Sequence, residues 1–157
     1  MKAFKGLLVL AIAVGAFALP AHAACPLSDP AFCIYVDIQS CVDPGIGTQA
    51  DPFCSIQNAI DVAFPGDTVL VLPGTYAECV TNAGPGKPVH LVADAFLEDP
   101  TNPDSRELTV IDGTGVCDGT VVDPDTGFTV LTPTVLFGAN DSLLARIEGF
   151  TITGGGV

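Results

Sequence analysis

The chain has 157 residues, of which 48% are hydrophobic and 15% charged, with 18 acidic against 5 basic side chains and a formal net charge of −13. A surface this acidic repels phosphate backbones and anionic lipid, so nucleic acid and membrane surfaces are excluded as expected partners. Divalent cations and neutral or basic ligands stay open.

Residues 1–23 open with Lys2 and Lys5, continue in an apolar stretch over 6–19, and close on Pro20 and Ala21-His22-Ala23. This is the pattern of a secretory signal peptide, with cleavage expected before Ala24. About 14 apolar residues fall short of the roughly 20 that a spanning helix needs, so no membrane insertion is expected after cleavage. A lipoprotein is the alternative, because Cys25 lies just past the cut, but His22 stands where such signals carry an aliphatic residue. Loss of Lys2 and Lys5 takes the net charge to −15 and leaves Lys87, Arg106 and Arg146 as the basic residues. The expected location is secreted or cell-surface, with a signal of bacterial style.

Cys25, Cys33, Cys41, Cys54, Cys79 and Cys117 all follow the cut. An even number in an oxidising compartment predicts disulfides, with the pairing open among 15 combinations. No C-x-x-C pair occurs and His90 is the sole histidine after the leader, which argues against structural zinc. Four of the six lie between Cys25 and Cys54, so the staples are expected to secure the loop-like 24–52 segment, broken there only by the alternation Ile34-Tyr35-Val36.

Over 55–64 the period changes. Ile56, Ala59, Ile60, Ala63 and Phe64 fall on one apolar helical face, with Gln57, Asn58 and Asp61 opposite, Ser55 as N-cap and Pro65-Gly66 as the stop. Apolar, β-branched runs follow at 68–72, 89–93, 108–112, 134–137 and 147–153, each bounded by turn residues. Taking Val69, Val89, Leu108, Val135 and Phe150 as marks, the spacing averages about 20 residues, which suits a β-solenoid. A β-sandwich would place its turns closer together and would give the opening helix no purpose. A solenoid gives it one, because its first coil exposes unpaired strand edge and an apolar end that must be blocked.

The segments Ile34-Tyr35-Val36-Asp37, Gly47-Thr48, Asp51-Pro52-Phe53-Cys54-Ser55-Ile56-Gln57, Ala59-Ile60, Pro65-Gly66-Asp67-Thr68-Val69, Pro73-Gly74-Thr75-Tyr76 with Glu78, and Val110-Ile111-Asp112-Gly113 carry a family likeness. They resemble the N-terminal part of secreted right-handed parallel β-helix proteins of the pectin-lyase-like superfamily, and the resemblance extends to Gly149-Phe150-Thr151-Ile152. The expected fold is therefore all-β: a right-handed parallel β-helix with a short N-terminal capping helix, truncated at the C-terminus. The expected domains are a signal peptide at 1–23, a cysteine-rich segment at 24–52 and incomplete β-helix coils at 53–157. The longer stretches 96–107 and 115–133 are expected to be protruding loops.

The resemblance implies polysaccharide lyases, glycoside hydrolases, adhesins and surface proteins alike, and shared fold does not fix function. A lyase needs a base near a uronate carboxylate and cations for the resulting enolate. Lys87 reads instead as a solvated turn residue, Arg106 as a loose partner of nearby acids, and Arg146 as a surface pair with Glu148. A hydrolase needs carboxylates about 5 to 9.5 Å apart on rigid elements. Asp99 with Asp104, and Asp123 with Asp125, lie in Pro-rich loops where aspartate forms turns. No catalytic, cofactor or metal residue is therefore assigned. A calcium ion at Asp123-Pro124-Asp125 is the one cofactor kept in view, although the pattern departs from the EF-hand loop. Asp112-Gly113 reads as a strand-ending turn and His90 as an outward side chain. Asn140-Asp141-Ser142 is a formal glycosylation sequon, and Gly154-Gly155-Gly156 reads as a tight turn.

The expected function is a secreted or cell-surface scaffold, non-catalytic in this segment, that presents a surface for extracellular polysaccharide, cell-surface glycan or adhesion. The competing expectation is the N-terminal cap of a polysaccharide lyase or glycoside hydrolase whose catalytic coils lie beyond residue 157.

Overall fold

The computed structural model describes residues 33–82, 87–122, 127–137 and 145–155. The signal peptide, Cys25, Asp123-Pro124-Asp125 and the Asn140 sequon lie outside them.

Strand β1 (Cys33–Val36) precedes helix α1 (Ile56–Val62), after which come β2 (Thr68–Val71), β3 (Gly74–Tyr76), β4 (Val80–Asn82) and β5 (His90–Ala93). Helix α2 (Asp94–Glu98) and a 3-10 helix (Pro103–Glu107) lead into β6 (Thr109–Asp112), β7 (Thr120–Val122), β8 (Thr129–Leu131), β9 (Val135–Phe137), β10 (Arg146–Glu148) and β11 (Thr151–Thr153). The strands form four small sheets, ordered β1-β2-β5-β10, β11-β6-β3, β4-β9 and β7-β8. Pairing is parallel in the first three and antiparallel in the fourth.

This corrects the expected all-β, right-handed β-helix. Short parallel strands distributed over small separate sheets, with helices between them and one antiparallel hairpin, make a mixed α/β arrangement. The 20-residue spacing misled because its marks belong to different sheets. Val69 lies in the first sheet, Leu108 leads into the second, Val135 opens the third, and Phe150 leads back to the second. The expected loops 96–107 and 115–133 also carry structure, namely most of α2 with the 3-10 helix and the β7-β8 hairpin. The run 147–153 splits at Gly149, whose φ of +82° is the left-handed region glycine favours, and where a Cβ would collide with Phe96.

The core follows from side-chain alternation along the strands. In the first sheet Ile34, Val69, Leu91 and Ile147 stand in one cross-strand row. That row meets Val36, Val71, Tyr76, Val80, Ile111 and the inward face of α1 in the main apolar cluster. On the sheet's other face Cys33, Leu70 and Val92 pack with Tyr35, Phe96 and Leu97. Burial on both faces explains why 68–72 reads as an unbroken apolar run rather than an alternating one.

Two disulfides, Cys41–Cys54 and Cys79–Cys117, bridge Cα atoms 5.3 and 5.5 Å apart, and Cys33 is also disulfide-bonded. The second lies outside the cysteine-rich segment, where the staples were expected to concentrate. These bonds fit an extracellular environment, and among the described residues no helix is long and apolar enough to cross a membrane.

Candidate functional site

Helix α1 has seven residues, too few to be stable alone, and it is held at both ends. Ser55 is the N-cap, its Oγ accepting from Asn58 N. Glu78 adds a second cap from a distant turn: its carboxylate accepts from Ile56 N at 2.8 Å, Gln57 N at 2.9 Å and Ser55 Oγ at 2.8 Å. A carboxylate there satisfies orphan amides and complements the helix dipole. Cys54 adjoins Ser55 and Cys79 adjoins Glu78, so a disulfide braces each half of the cap.

At the other end Lys87 Nζ donates to Ile60 O at 2.6 Å and Asp61 O at 2.9 Å. Lys87 is thus a helix-terminal cap, not the freely solvated turn residue expected from its Gly-Pro-Gly context. Its partners are backbone oxygens 26 and 27 residues away, which no local pattern announces. The helix stops at Val62, and Asp67 closes the turn by accepting from Phe64 N at 2.7 Å. Phe64, expected on the buried face, is therefore turned out and 76% exposed.

Gln57 does further work that sequence reading missed. Its Oε1 accepts from Thr81 N at 2.7 Å and its Nε2 donates to Thr81 O at 3.1 Å. The amide thereby imitates a neighbouring strand along the edge of β4. Tyr35 is held likewise, its N donating to Gly47 O and its O accepting from Phe53 N, both at 2.9 Å. Tyr76, fully buried, donates its hydroxyl to Leu72 O at 2.9 Å. Burial pushes its pKa well above the ordinary phenol value, so the ring serves as an anchor rather than a base.

The other predicted positions resolve individually. Asp99 accepts from Thr101 N and Oγ1, and the backbone N of Asp104 donates to Asn102 Oδ1 in the turn that follows. Asp112 accepts from Thr114 N at 2.9 Å and Thr153 Oγ1 at 3.0 Å, as a strand-ending turn should, and these bonds lower its pKa. Arg106 lies over the Phe96 ring, 4.9 Å from the centroid. Gly154 and Gly155 both have positive φ, as a tight turn requires. Among the described residues no group of His, Cys, Asp and Glu is arranged to hold a metal.

The charged cluster left on the exterior belongs to β5 and β10. Glu148 Oε1 lies 3.6 Å from Arg146 Nη1 and 3.8 Å from His90 Nε2. Burial lowers the His90 pKa more than Glu148 raises it, so the imidazole is neutral at pH 7 and only the Arg146–Glu148 contact is an ion pair. Around the same end the strand edges are open: among the described residues β9, β10 and β11 each pair on one side only. Ile152, in the Tyr76–Ile111 row, is 47% exposed. It borders an open depression of about 400 Å³ lined by Thr132, Pro133, Thr134, Val135, Gly154 and Gly155.

Comparison with protein-family models, with curated proteins and with solved structures yields no match, so function rests on this geometry alone.

Proposed function

We propose that the chain is a secreted or cell-surface scaffold, non-catalytic over these residues, whose exterior serves as a contact surface for extracellular polysaccharide or cell-surface glycan. The observation that carries this is the use made of its polar side chains. Glu78, Gln57, Lys87, Asp67 and Tyr76 are each bonded to backbone groups that hold α1 and the strand edges in place. A general acid or base needs a side chain free to exchange a proton with substrate, and these are committed to the fold. The disulfides suit the same role, since they fix the helix cap covalently in an oxidising setting.

The test is to incubate the purified secreted chain with polygalacturonate and with neutral glycans, and to measure both retention and cleavage. Retention without new reducing ends or unsaturated products is the expected result. Cleavage of either kind would overturn the scaffold function.

A further inference from the structure

Among the described residues nothing pairs with the outer edge of β10, and this edge has a symmetry of its own. Arg146 N donates to Val89 O at 3.1 Å. Because backbone groups alternate sides along a strand, Arg146 and Glu148 face β5, and the N–H and C=O of Ile147 point to the unpaired edge. The Ile147 side chain lies with the main apolar cluster, while Arg146 and Glu148 stand on the outer face beside His90 and Val92.

We propose that this edge pairs with the same edge of a second copy, the two β10 strands running antiparallel about a two-fold axis through Ile147. An antiparallel pair of residues facing each other at their hydrogen-bonding positions exchanges two N–H···O bonds, which Ile147 and its symmetry mate supply. The same register sets Arg146 of each copy opposite Glu148 of the other, an opposite-charge pair made twice. It also continues the row Ile34, Val69, Leu91, Ile147 into the partner's identical row.

The occupant is a second copy rather than an unrelated strand because Arg-Ile-Glu is self-complementary under reversal, as an isologous interface requires. Assembly stops at two. Under a two-fold axis each copy spends its β10 edge on the other, so this interface leaves none for head-to-tail growth, and at the opposite end Gln57 lies along β4 and Gly47 and Phe53 lie along β1. Dimerisation is read from the mass of the assembly and glycan contact from retention, so the two stand or fall separately.

The experiment is sedimentation equilibrium of the full secreted chain over a range of concentrations at physiological salt, where repulsion between acidic surfaces is screened beyond about 8 Å. A monomer–dimer equilibrium with no larger species is expected. Arg146→Glu or Glu148→Arg alone should weaken it by about tenfold or more, because each places like charges opposite one another twice. The double exchange, Arg146→Glu with Glu148→Arg, restores opposite pairing and should return affinity to within about threefold of the parent. A monomer at every concentration overturns the proposal, as does open-ended assembly. So does a dimer indifferent to the single reversals, or one that the double exchange does not restore.

Discussion

The end built around α1 and the end bounded by β10 and β11 solve the same problem in opposite ways. Parallel strands leave a ladder of unpaired amides and carbonyls and an apolar row at each end of a sheet, and both attract unwanted partners. At the α1 end the chain covers these with its own groups: Gln57 stands in for a strand, Glu78 and Lys87 hold the helix, and Ile56 and Ile60 fill the apolar row. At the β10 end, among the described residues, no strand pairs with the outer side of β10, and Ile152 is half exposed. One amide, one carboxylate and one ammonium placed on backbone groups therefore distinguish the covered end from the uncovered one.

The contrast is tested most severely by truncating equivalent apolar side chains. Ile56→Ala removes a fully buried side chain and should cost about 2–5 kcal/mol in urea-induced unfolding. Replacing Glu78 by Gln keeps the shape but weakens three bonds at the α1 N-terminus, with an expected loss of about 2 kcal/mol. If instead Glu78→Gln left the unfolding midpoint unchanged, the cap would be ornamental and the closed end would owe its order to packing alone. Lys87→Met retains most of the stem and loses the cap, for about 1 kcal/mol in the same assay. Ile152→Ala, at a dilution that keeps the chain monomeric, should cost less than about 1 kcal/mol because half the side chain is already in water. A loss as large as that at Ile56 would mean that the β10 end is as closed as the other.

The smallest effect is on pH dependence. The folded pKa of His90 lies below its ordinary 6.5, chiefly through burial. The unfolded chain therefore binds the proton first, and stability falls as pH drops below 6.5 until the folded imidazole is protonated as well. His90→Gln should flatten that slope. Urea midpoints at about pH 7 and about pH 5.5, compared between the two chains, measure it.

Much of the local structure was legible in the residues themselves. Ser55, the apolar spacing from Ile56 to Ala63 and the Pro65-Gly66 stop announced α1, and the β-branched runs announced β2, β5, β6 and β9 to within a residue or two. Periodicity reports one element at a time, so it served well there. It failed where the question was how elements group. The 20-residue spacing suggested a solenoid because a single period cannot say which sheet a strand joins, and strands as short as Gly74–Tyr76 and Val80–Asn82 carry too few residues for alternation to show.

By itself, then, the sequence determined where the chain bends, which segments are apolar, where the helix begins, and that its cysteines suit an oxidising compartment, because each depends on neighbouring residues or on composition. Tertiary structure decided the rest. Glu78 reaches a helix that starts 22 residues earlier, Lys87 caps carbonyls 26 and 27 residues before it, Cys79 bonds to Cys117, and Ile147 presents its backbone outward only because Leu91 stands on its other side. Such contacts are set by which elements pack together, and no local pattern of residue types records that choice.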